Sequence, residues 1–266
     1  MALKFCSFAS SSSGNCYMVK SEHTTLLVDV GITGKRVFAG LEECGVEPEE
    51  IDGILITHEH IDHVRSLRMV SKKAANARVY ASEGTLKEIA DKVPGERAYG
   101  VLKEEPFYIG DIQVNPFHLS HDAAEPTGYS FAHAGRQVTI VTDTGYVSEE
   151  IFHQVETADL LVLEANHEVN ILKMGAYPYP LKRRILGDEG HLSNEAAGYC
   201  LCQMLKKREH DRIPHVVLAH LSKENNTPGQ AFLTIRNILF EEDFYIDKDL
   251  KLDIANRDQV SPFVEV

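Results

Sequence analysis

The segment Thr57–His63, spelled T-H-E-H-I-D-H, constrains this chain more than any other part of the sequence. It places three histidines and one aspartate within six consecutive residues. The preceding residues 51–56 are apolar and rich in β-branched side chains, which predicts a buried strand that ends in a loop. His58 and His60 are two residues apart, so in an extended segment both point to the same side and can reach one cation.

Asp62 and His63 follow where the chain turns into a predicted helix. Adjacent side chains at such a turn can face a second cation, so the spacing predicts a site for two divalent metal ions. Nitrogen and carboxylate ligands suit Zn²⁺, Mn²⁺ or Fe²⁺ and do not distinguish among them. The alternative is an incidental cluster, because the chain has 13 histidines and exposed His-rich tracts sometimes have only adventitious metal affinity.

The pattern H-x-H-x-D-H resembles the signature of the metallo-β-lactamase superfamily. That resemblance implies a four-layer αββα sandwich in a single domain, residues 1–266, with further ligands at the ends of later strands. Residues 117–122, 138–145 and 216–222 resemble the later motifs in the family's order. The resemblance implies two metal ions with a hydroxide between them and the following ligands: His58, His60 and His121 on one ion, Asp62, His63 and His220 on the other, and Asp143 bridging both.

Other parts of the chain agree with this class of fold. His118 competes with His121 for the same role, and the family order favours His121. Asp29 resembles an aspartate that supports the metal loop without binding metal. Strands followed by covering helices are typical of an αββα sandwich, and the spacing of apolar residues predicts helices over 33–44, 67–75, 85–92, 149–156, 194–207 and 228–239.

Composition narrows the class of protein. A length of 266 residues with 43% hydrophobic residues allows one large α/β domain. No run approaches the roughly 18 apolar residues of a membrane span, and residues 1–8 are too short for the apolar core of a signal peptide. Five cysteines without a C-x-x-C motif fit a reducing compartment. We therefore expect a cytoplasmic enzyme without a membrane partner.

Two segments indicate the reaction. Residues 161–168 resemble the H-E-A-T segment of the tRNA 3′-processing endonucleases, and residues 190–193 resemble their G-H-S-T segment. By that resemblance Glu164 and His191 are catalytic and protonate the departing ribose oxygen, a poor leaving group that needs a proton as it departs. Asp62 would orient the attacking hydroxide.

The match to these endonucleases has departures. Leu163 stands where they have a histidine, and Leu192 separates His191 from Ser193. His167 could substitute for a missing partner. In the alternative interpretation, Glu164 is a buried carboxylate that only orients a neighbour, and His191 is a loop residue ahead of Ser193, a predicted helix N-cap.

Four segments resemble the YycJ/WalJ group within the superfamily, whose members are regarded as metal-dependent 5′ to 3′ DNA exonucleases. They are S-G-N-C at 13–16, S-H-D-A-A-E-P-T-G-Y at 120–129, V-T-D-T-G-Y at 141–146 and H-L-S-K-E-N-N at 220–226. The resemblance implies hydrolysis of DNA phosphodiester bonds, with nucleic acid as the partner.

Charge opposes that function at long range, because a net charge of −13 repels a polyanion. A local groove could still bind DNA, and the candidate contacts are Lys182, Arg183, Arg184 and Ser193. Tyr177, Tyr179 and their prolines form a predicted aromatic and basic loop just before Lys182, which could stack an unpaired base or could equally be a packed surface loop. Alternatives are a phosphodiesterase for cyclic phosphates or nucleotides, another hydrolase of the fold, and a metal-bound scaffold without turnover. The scaffold is disfavoured because no ligand is lost.

Overall fold

The computed structural model describes residues 2–101, 105–208 and 212–266. The chain falls into two compact units. The first contains the described residues up to His118 together with Ala123–Val138 and Asn256–Val266, and the second contains Leu119–Asp122 and the described residues of Thr139–Ala255. The single domain expected over 1–266 stays a prediction, and each unit is described by itself.

The strands in the described part of the chain are β1 (Lys4–Ala9), β2 (Cys16–Lys20), β3 (Thr25–Val28), β4 (Gly53–Leu55), β5 (Arg78–Ala81), β6 (Ala98–Gly100), β7 (Phe107–Ile109), β8 (Ile112–His118), β9 (Thr127–His133), β10 (Arg136–Val141), β11 (Leu160–Glu164), β12 (His215–Ala219), β13 (Lys251–Ile254) and β14 (Val264–Glu265). The helices are α1 (Gly34–Glu43), α2 (Ile61–Val64), α3 (Leu67–Lys73), α4 (Glu83–Glu88), α5 (Glu149–Glu156), α6 (Val169–Met174), α7 (Tyr179–Ile185), α8 (Asn194–Lys207) and α9 (Pro228–Glu241).

The first unit contains a mixed sheet with the strand order β14-β1-β2-β3-β4-β5-β6. Strands β14, β1, β2 and β3 pair antiparallel, whereas β3 to β6 pair parallel. Parallel neighbours need crossover connections, which α1, α3 and α4 supply. The carboxyl ends of β3 and β4 therefore lie side by side at one edge, where the histidine-rich segment begins.

One face of this sheet packs against α1 and α3. The buried cluster joins Phe8 and Ile54 of the sheet to Val37 and Leu41 of α1 and Val70 of α3. Each side chain of this size contributes roughly 1.5–3 kcal/mol when it is removed from water. This layer holds the strand ends that carry the metal-binding segment.

The antiparallel strands β7, β8 and β9 lie against the opposite face of the same sheet. Tyr80 of β5 stacks on Phe107 of β7 with ring centroids 5.3 Å apart. A Cβ added to Gly53 would be 3.0 Å from the side chain of Ile109. Tyr129 of β9 donates a hydrogen bond to the Ile56 carbonyl at 3.0 Å, so these strands also fix the chain just before the metal-binding segment.

In the second unit, β11, β12 and β13 pair parallel, with residues 139–141 of β10 beside β11. Helices α8 and α9 pack closely, because a Cβ added to Gly198 would be 2.8 Å from Ile238. The Lys207 ammonium of α8 lies 4.7 Å from the ring centre of Phe152 on α5. Asp143, Glu164 and His220, at or just after the ends of β10, β11 and β12, offer ligand atoms within 4.8 Å of one another, so these strand ends lie at one edge of the unit.

Most of the predicted helices are confirmed, two of them to the residue: 149–156 is α5 and 194–207 is α8. The loop predicted around Tyr177 is wrong in part, since a helix begins at Tyr179. Pro180 has a backbone angle suited to the first turn of a helix, and its missing N–H is not needed there. Tyr179 and the three basic residues that follow it therefore lie on a short helix, whereas Tyr177 precedes that helix.

The longest helices in the described residues, α8 and α9, have 14 residues each. A span across a bilayer takes about 20 residues. None of the helices that the structure describes is long and apolar enough for that role.

Candidate metal centre

The first unit holds four predicted ligands on one short segment that runs from the end of β4 into α2, with Asp62 and His63 in the helix. His58 and His63 are fully buried, and their ring centroids are 4.1 Å apart. The ring of His60 lies 4.5 Å from that of His58. Asp62 Oδ2 is 3.5 Å from His63 Nε2. Imidazole and carboxylate groups that could bind a metal ion therefore lie close together between the end of the strand and the first turn of the helix.

Asp29 holds this segment from the end of β3. Its Oδ1 accepts from the Thr57 N–H at 2.9 Å, and its Oδ2 accepts from the Thr57 hydroxyl at 2.9 Å and from His63 Nδ1 at 2.8 Å. A proton on Nδ1 leaves the Nε2 lone pair for a metal ion, a common arrangement around metal-binding histidines. Asp29 has φ +57°, so strained backbone accompanies this role.

The S-G-N-C segment also supports the metal-binding loop. Asn15 N–H donates to the Asp62 carbonyl at 2.8 Å, and Gly31 N–H donates to the Asn15 carbonyl at 2.8 Å. A Cβ added to Gly31 would be only 1.5 Å from the Asp62 carbonyl oxygen. Glycine is therefore required at residue 31 for the loop to approach so closely.

In the second unit, Asp143, Glu164, His191 and His220 offer ligand atoms that all lie within 4.8 Å of one another. Asp143 follows β10, Glu164 ends β11 and His220 follows β12. Asp143 has φ +61° and His220 has φ +55°. Left-handed backbone is uncommon outside glycine, and its occurrence at two strand ends in one cluster is typical of functional sites.

Glu164 is fully buried and joins two of these histidines. Its Oε1 accepts from His220 Nδ1 at 2.7 Å and from His191 Nδ1 at 2.9 Å. Its Oε2 accepts from the N–H groups of Thr144 at 3.1 Å and Leu192 at 3.0 Å. Burial alone would raise the pKa of this carboxyl, but the charge and hydrogen bonds of His191 and His220 hold it well below its ordinary value. Glu164 is therefore an ionised acceptor that sets the orientation of both rings.

His121 lies in the second unit with its Nε2 3.8 Å from Asp143 Oδ1. Its Nδ1 donates to the Gly190 carbonyl at 3.0 Å. Burial lowers the pKa of His121, and the charge of Asp143 opposes that effect only in part. A neutral imidazole with its proton on Nδ1 is the form that binds a metal ion.

The sequence reasoning missed a set of buried amides that fixes these loops. Asn226 Nδ2 donates to the carbonyls of Ala165 at 2.8 Å and Asn166 at 3.2 Å, and to Asn194 Oδ1 at 2.8 Å. Asn166 Nδ2 in turn donates to the His220 carbonyl at 2.9 Å. The two adjacent asparagines of H-L-S-K-E-N-N were the available signal, since buried amides need several partners.

The predicted substrate contacts have mixed surroundings. Ser193 caps α8 by accepting from the Ala196 N–H at 3.1 Å. The Lys182 ammonium donates to the carbonyls of Lys173 at 2.8 Å and Gly175 at 2.6 Å. Arg184 forms a bidentate ion pair with Asp122. Arg183 and Arg184 are both exposed, but only Arg184 of the two is held by an ion pair within the described part of the chain.

His167 is almost completely buried, and neither ring nitrogen has a hydrogen-bond partner among the residues that the structure describes. Burial lowers its pKa to about 4, so the ring is neutral at physiological pH. Its proximity in sequence to Glu164 made it a possible substitute in the catalytic pair, but Glu164 is already bonded to His191 and His220.

Both clusters fit a divalent metal ion. Each combines buried imidazoles with carboxylates, and in each an Nδ1 hydrogen bond to a carboxylate orients a histidine. The chain thus has His/Asp clusters that could hold metal.

Comparison with known proteins agrees with this chemistry. Residues 24–218 match the Beta-lactamase superfamily domain. The chain is 36% identical over 255 residues to exodeoxyribonuclease YycJ of Bacillus anthracis, with 95% of each protein covered. It is 36% identical over 271 residues to exodeoxyribonuclease WalJ of Streptococcus pneumoniae serotype 2 (strain D39 / NCTC 7466), with 100% of this chain and 99% of that protein covered. The solved metallo-beta-lactamase fold protein YhfI from Bacillus subtilis superposes with a TM-score of 0.73 at 15% identity over 100% of both chains.

The fold is of the αββα class, as predicted from the sequence. The full-length identity to exodeoxyribonucleases, together with the donor clusters, supports a metal-dependent hydrolase. The chain belongs to the β-lactamase superfamily. The resemblance to the YycJ/WalJ group is likewise confirmed, over nearly the full length.

Proposed function

We propose that this protein is a two-metal DNA exonuclease that hydrolyses phosphodiester bonds from the 5′ end. The full-length identity to two proteins named exodeoxyribonucleases supports DNA as the substrate. The observation that carries the reaction type is the pair of hydrogen bonds from His191 and His220 to Glu164. It places a candidate proton donor and a candidate metal ligand on one carboxylate.

The proposed ligand set follows the family resemblance. His58, His60 and His121 would hold one ion, Asp62, His63 and His220 the other, and Asp143 both. Two bound divalent ions would polarise the scissile phosphate and lower the pKa of a bound water. The orientation of His63 by Asp29 at 2.8 Å and of His220 by Glu164 at 2.7 Å supports this assignment.

The side chains would then divide the remaining chemistry. Asp62 is half-buried, and its carboxylate would orient the attacking water. As the water oxygen bonds to phosphorus, the bond from phosphorus to the ribose 3′ oxygen breaks. His191 would donate a proton to that oxygen, because an alkoxide is a poor leaving group. The hydrogen bond of its Nδ1 to Glu164 directs Nε2 away from the carboxylate, where a leaving group can approach.

A small phosphodiester is the second candidate substrate, and the net charge of −13 favours it. A polyanion is repelled at long range by such a charge, whereas a nucleotide or cyclic phosphate is repelled less. Both substrates need the same hydrolytic centre, so only direct comparison separates them.

The test is a time course of the metal-reconstituted protein on end-labelled double-stranded DNA, single-stranded DNA and RNA, with a chromogenic phosphodiester in parallel. We expect DNA to shorten progressively from its 5′ end. Asp143→Ala should abolish this activity and reduce the metal content. His191→Ala should leave the metal bound and slow turnover by roughly 10²–10⁴-fold, the usual contribution of a general acid.

Each result bears on one part of the proposal. Cleavage of the small diester alone would replace DNA by a nucleotide or cyclic phosphate. Preferential cleavage of RNA would overturn the choice of DNA. Full activity of His191→Ala would reject this residue as the proton donor, and full metal content in Asp143→Ala would reject the bridging role.

A further inference from the structure

We propose that the α6–α7 segment, residues 169–186, is a platform on which an unpaired DNA strand lies as it enters the active site. This inference rests on the proposed nuclease function and states where its substrate binds. It differs from the metal centre, because none of the residues involved is a predicted metal ligand.

The charge of the α6–α7 segment is opposite to that of the chain. The whole sequence has 40 acidic and 27 basic residues, whereas this segment contains Lys173, Lys182, Arg183 and Arg184 and no Asp or Glu. Lys182 and Arg184 are engaged with neighbouring groups. Lys173 and Arg183 are exposed, and within the residues that the structure describes neither forms an ion pair. Their charged groups therefore face solvent and can form ion pairs with the phosphates of a DNA backbone.

The same segment exposes large apolar side chains. Met174 is 81% exposed and Tyr179 is 72% exposed, and Ile171 and Leu186 are also on the surface. Single exposed apolar residues are normal on a protein surface. Here, however, the apolar side chains alternate with exposed basic side chains, and this combination indicates a binding surface. Single-stranded nucleic acid binds through aromatic stacking together with contacts from Lys or Arg to the backbone.

Hydrogen bonds and an ion pair join the segment to the second-unit cluster. Lys182, in the middle of α7, donates to the Lys173 carbonyl of α6, and Arg184 pairs with Asp122, the residue after His121. The His191 N–H donates to the Ile185 carbonyl at 3.0 Å. A strand bound along α7 would therefore leave the platform next to the candidate proton donor.

The occupant is single-stranded rather than duplex DNA. In a duplex the base faces are stacked on one another and unavailable to Tyr179 and Met174. An unpaired strand offers both a base face and a phosphate at each nucleotide, which matches the alternation of apolar and basic side chains in this segment. Removing one stacking residue costs about 1–3 kcal/mol of binding free energy.

The test compares Tyr179→Ala and Arg183→Glu with wild type on a single-stranded oligonucleotide, a blunt duplex and a chromogenic phosphodiester. Tyr108→Ala is the matched aromatic control, since Tyr108 is 67% exposed, and Arg78→Glu is the matched basic control on an exposed residue of β5. We expect KM for the single strand to rise about 5- to 100-fold in the two α7 variants. KM should change less than twofold in the controls, and so should the rate on the small diester in all four variants.

Tyr179→Phe keeps the ring and should retain the wild-type KM. A KM for Tyr179→Phe as high as that of Tyr179→Ala would overturn stacking as the mechanism. Wild-type KM in both α7 variants, with wild type active on DNA, would overturn the platform and leave the nuclease function intact. Wild type inactive on every DNA substrate but active on the small diester would reject the nuclease function itself. An equal effect of the variants on the blunt duplex would overturn the single-strand assignment.

Discussion

His220 Nδ1 donates to Glu164 Oε1 at 2.7 Å across a sequence separation of 56 residues. The same oxygen accepts from His191. One buried carboxylate therefore sets the rotation of a proposed metal ligand and of a proposed proton donor, so the two are coupled.

Glu164→Gln tests this coupling. The amide keeps the shape of the side chain but replaces one acceptor oxygen by a donor that faces the N–H of Thr144 or Leu192. We expect kcat on the natural substrate to fall by roughly 10²–10³-fold, as for loss of an oriented acid and its electrostatic support. Metal content measured by mass spectrometry should also decrease. Glu189→Gln, at an exposed residue, is the control, and near-normal kcat in Glu164→Gln would contradict the shared-acceptor role.

Gly31→Ala should disrupt the metal-binding loop although it lies outside it. The added Cβ would be 1.5 Å from the Asp62 carbonyl oxygen, so the backbone of Asp62 and His63 must shift. We expect loss of at least half of the bound metal and most of the activity. Gly95→Ala is the matched control, since nothing lies within 4 Å of its added Cβ. Normal metal content in Gly31→Ala would show that the close approach is dispensable.

Asn226→Ala should destabilise the protein, because it removes a hydrogen-bond donor from buried carbonyl oxygens. Removal of this amide takes a donor from the carbonyl oxygens of Ala165 and Asn166 and from Asn194 Oδ1, although the Ser222 N–H still donates to the Asn166 carbonyl at 2.8 Å. Loss of a buried partner costs about 1–3 kcal/mol for each group left unsatisfied. Urea unfolding should report a decrease in this range or above it, whereas Asn76→Ala, which removes a single exposed bond, should change stability by less than about 0.5 kcal/mol.

His167 predicts a pH dependence of stability. Its pKa is about 4 in the folded protein and 6.5 for an ordinary histidine, so between these values the unfolded chain binds more protons. The free energy of unfolding must therefore fall as the pH decreases from 6.5 toward 4, by at most about 2 kcal/mol at pH 5 from this group. His167→Leu should reduce the decline seen by urea unfolding between pH 7 and pH 5. His153→Gln, at an exposed residue, should retain it, and an equal decline in His167→Leu and wild type would refute the assignment.

Local sequence determined much of this protein. The four donors of residues 58–63 are close in space because they are close along the chain. Periodicity predicted α5 and α8 to the residue, because a buried stripe of apolar side chains repeats with the helical turn. Motif order indicated Asp143 and His220, since each follows a strand whose apolar run is visible in the sequence.

Only the tertiary structure decided which hydrogen-bond and ion-pair partners residues far apart in the sequence have. Sequence spacing could not show that Glu164 serves both His191 and His220, that Arg184 pairs with Asp122, or that Asn226 links the loops of the second unit. These contacts join residues far apart in the chain, and packing of strands and helices brings them together. Periodicity reports which face of an element is buried, but it carries no information about which distant polar group lies opposite.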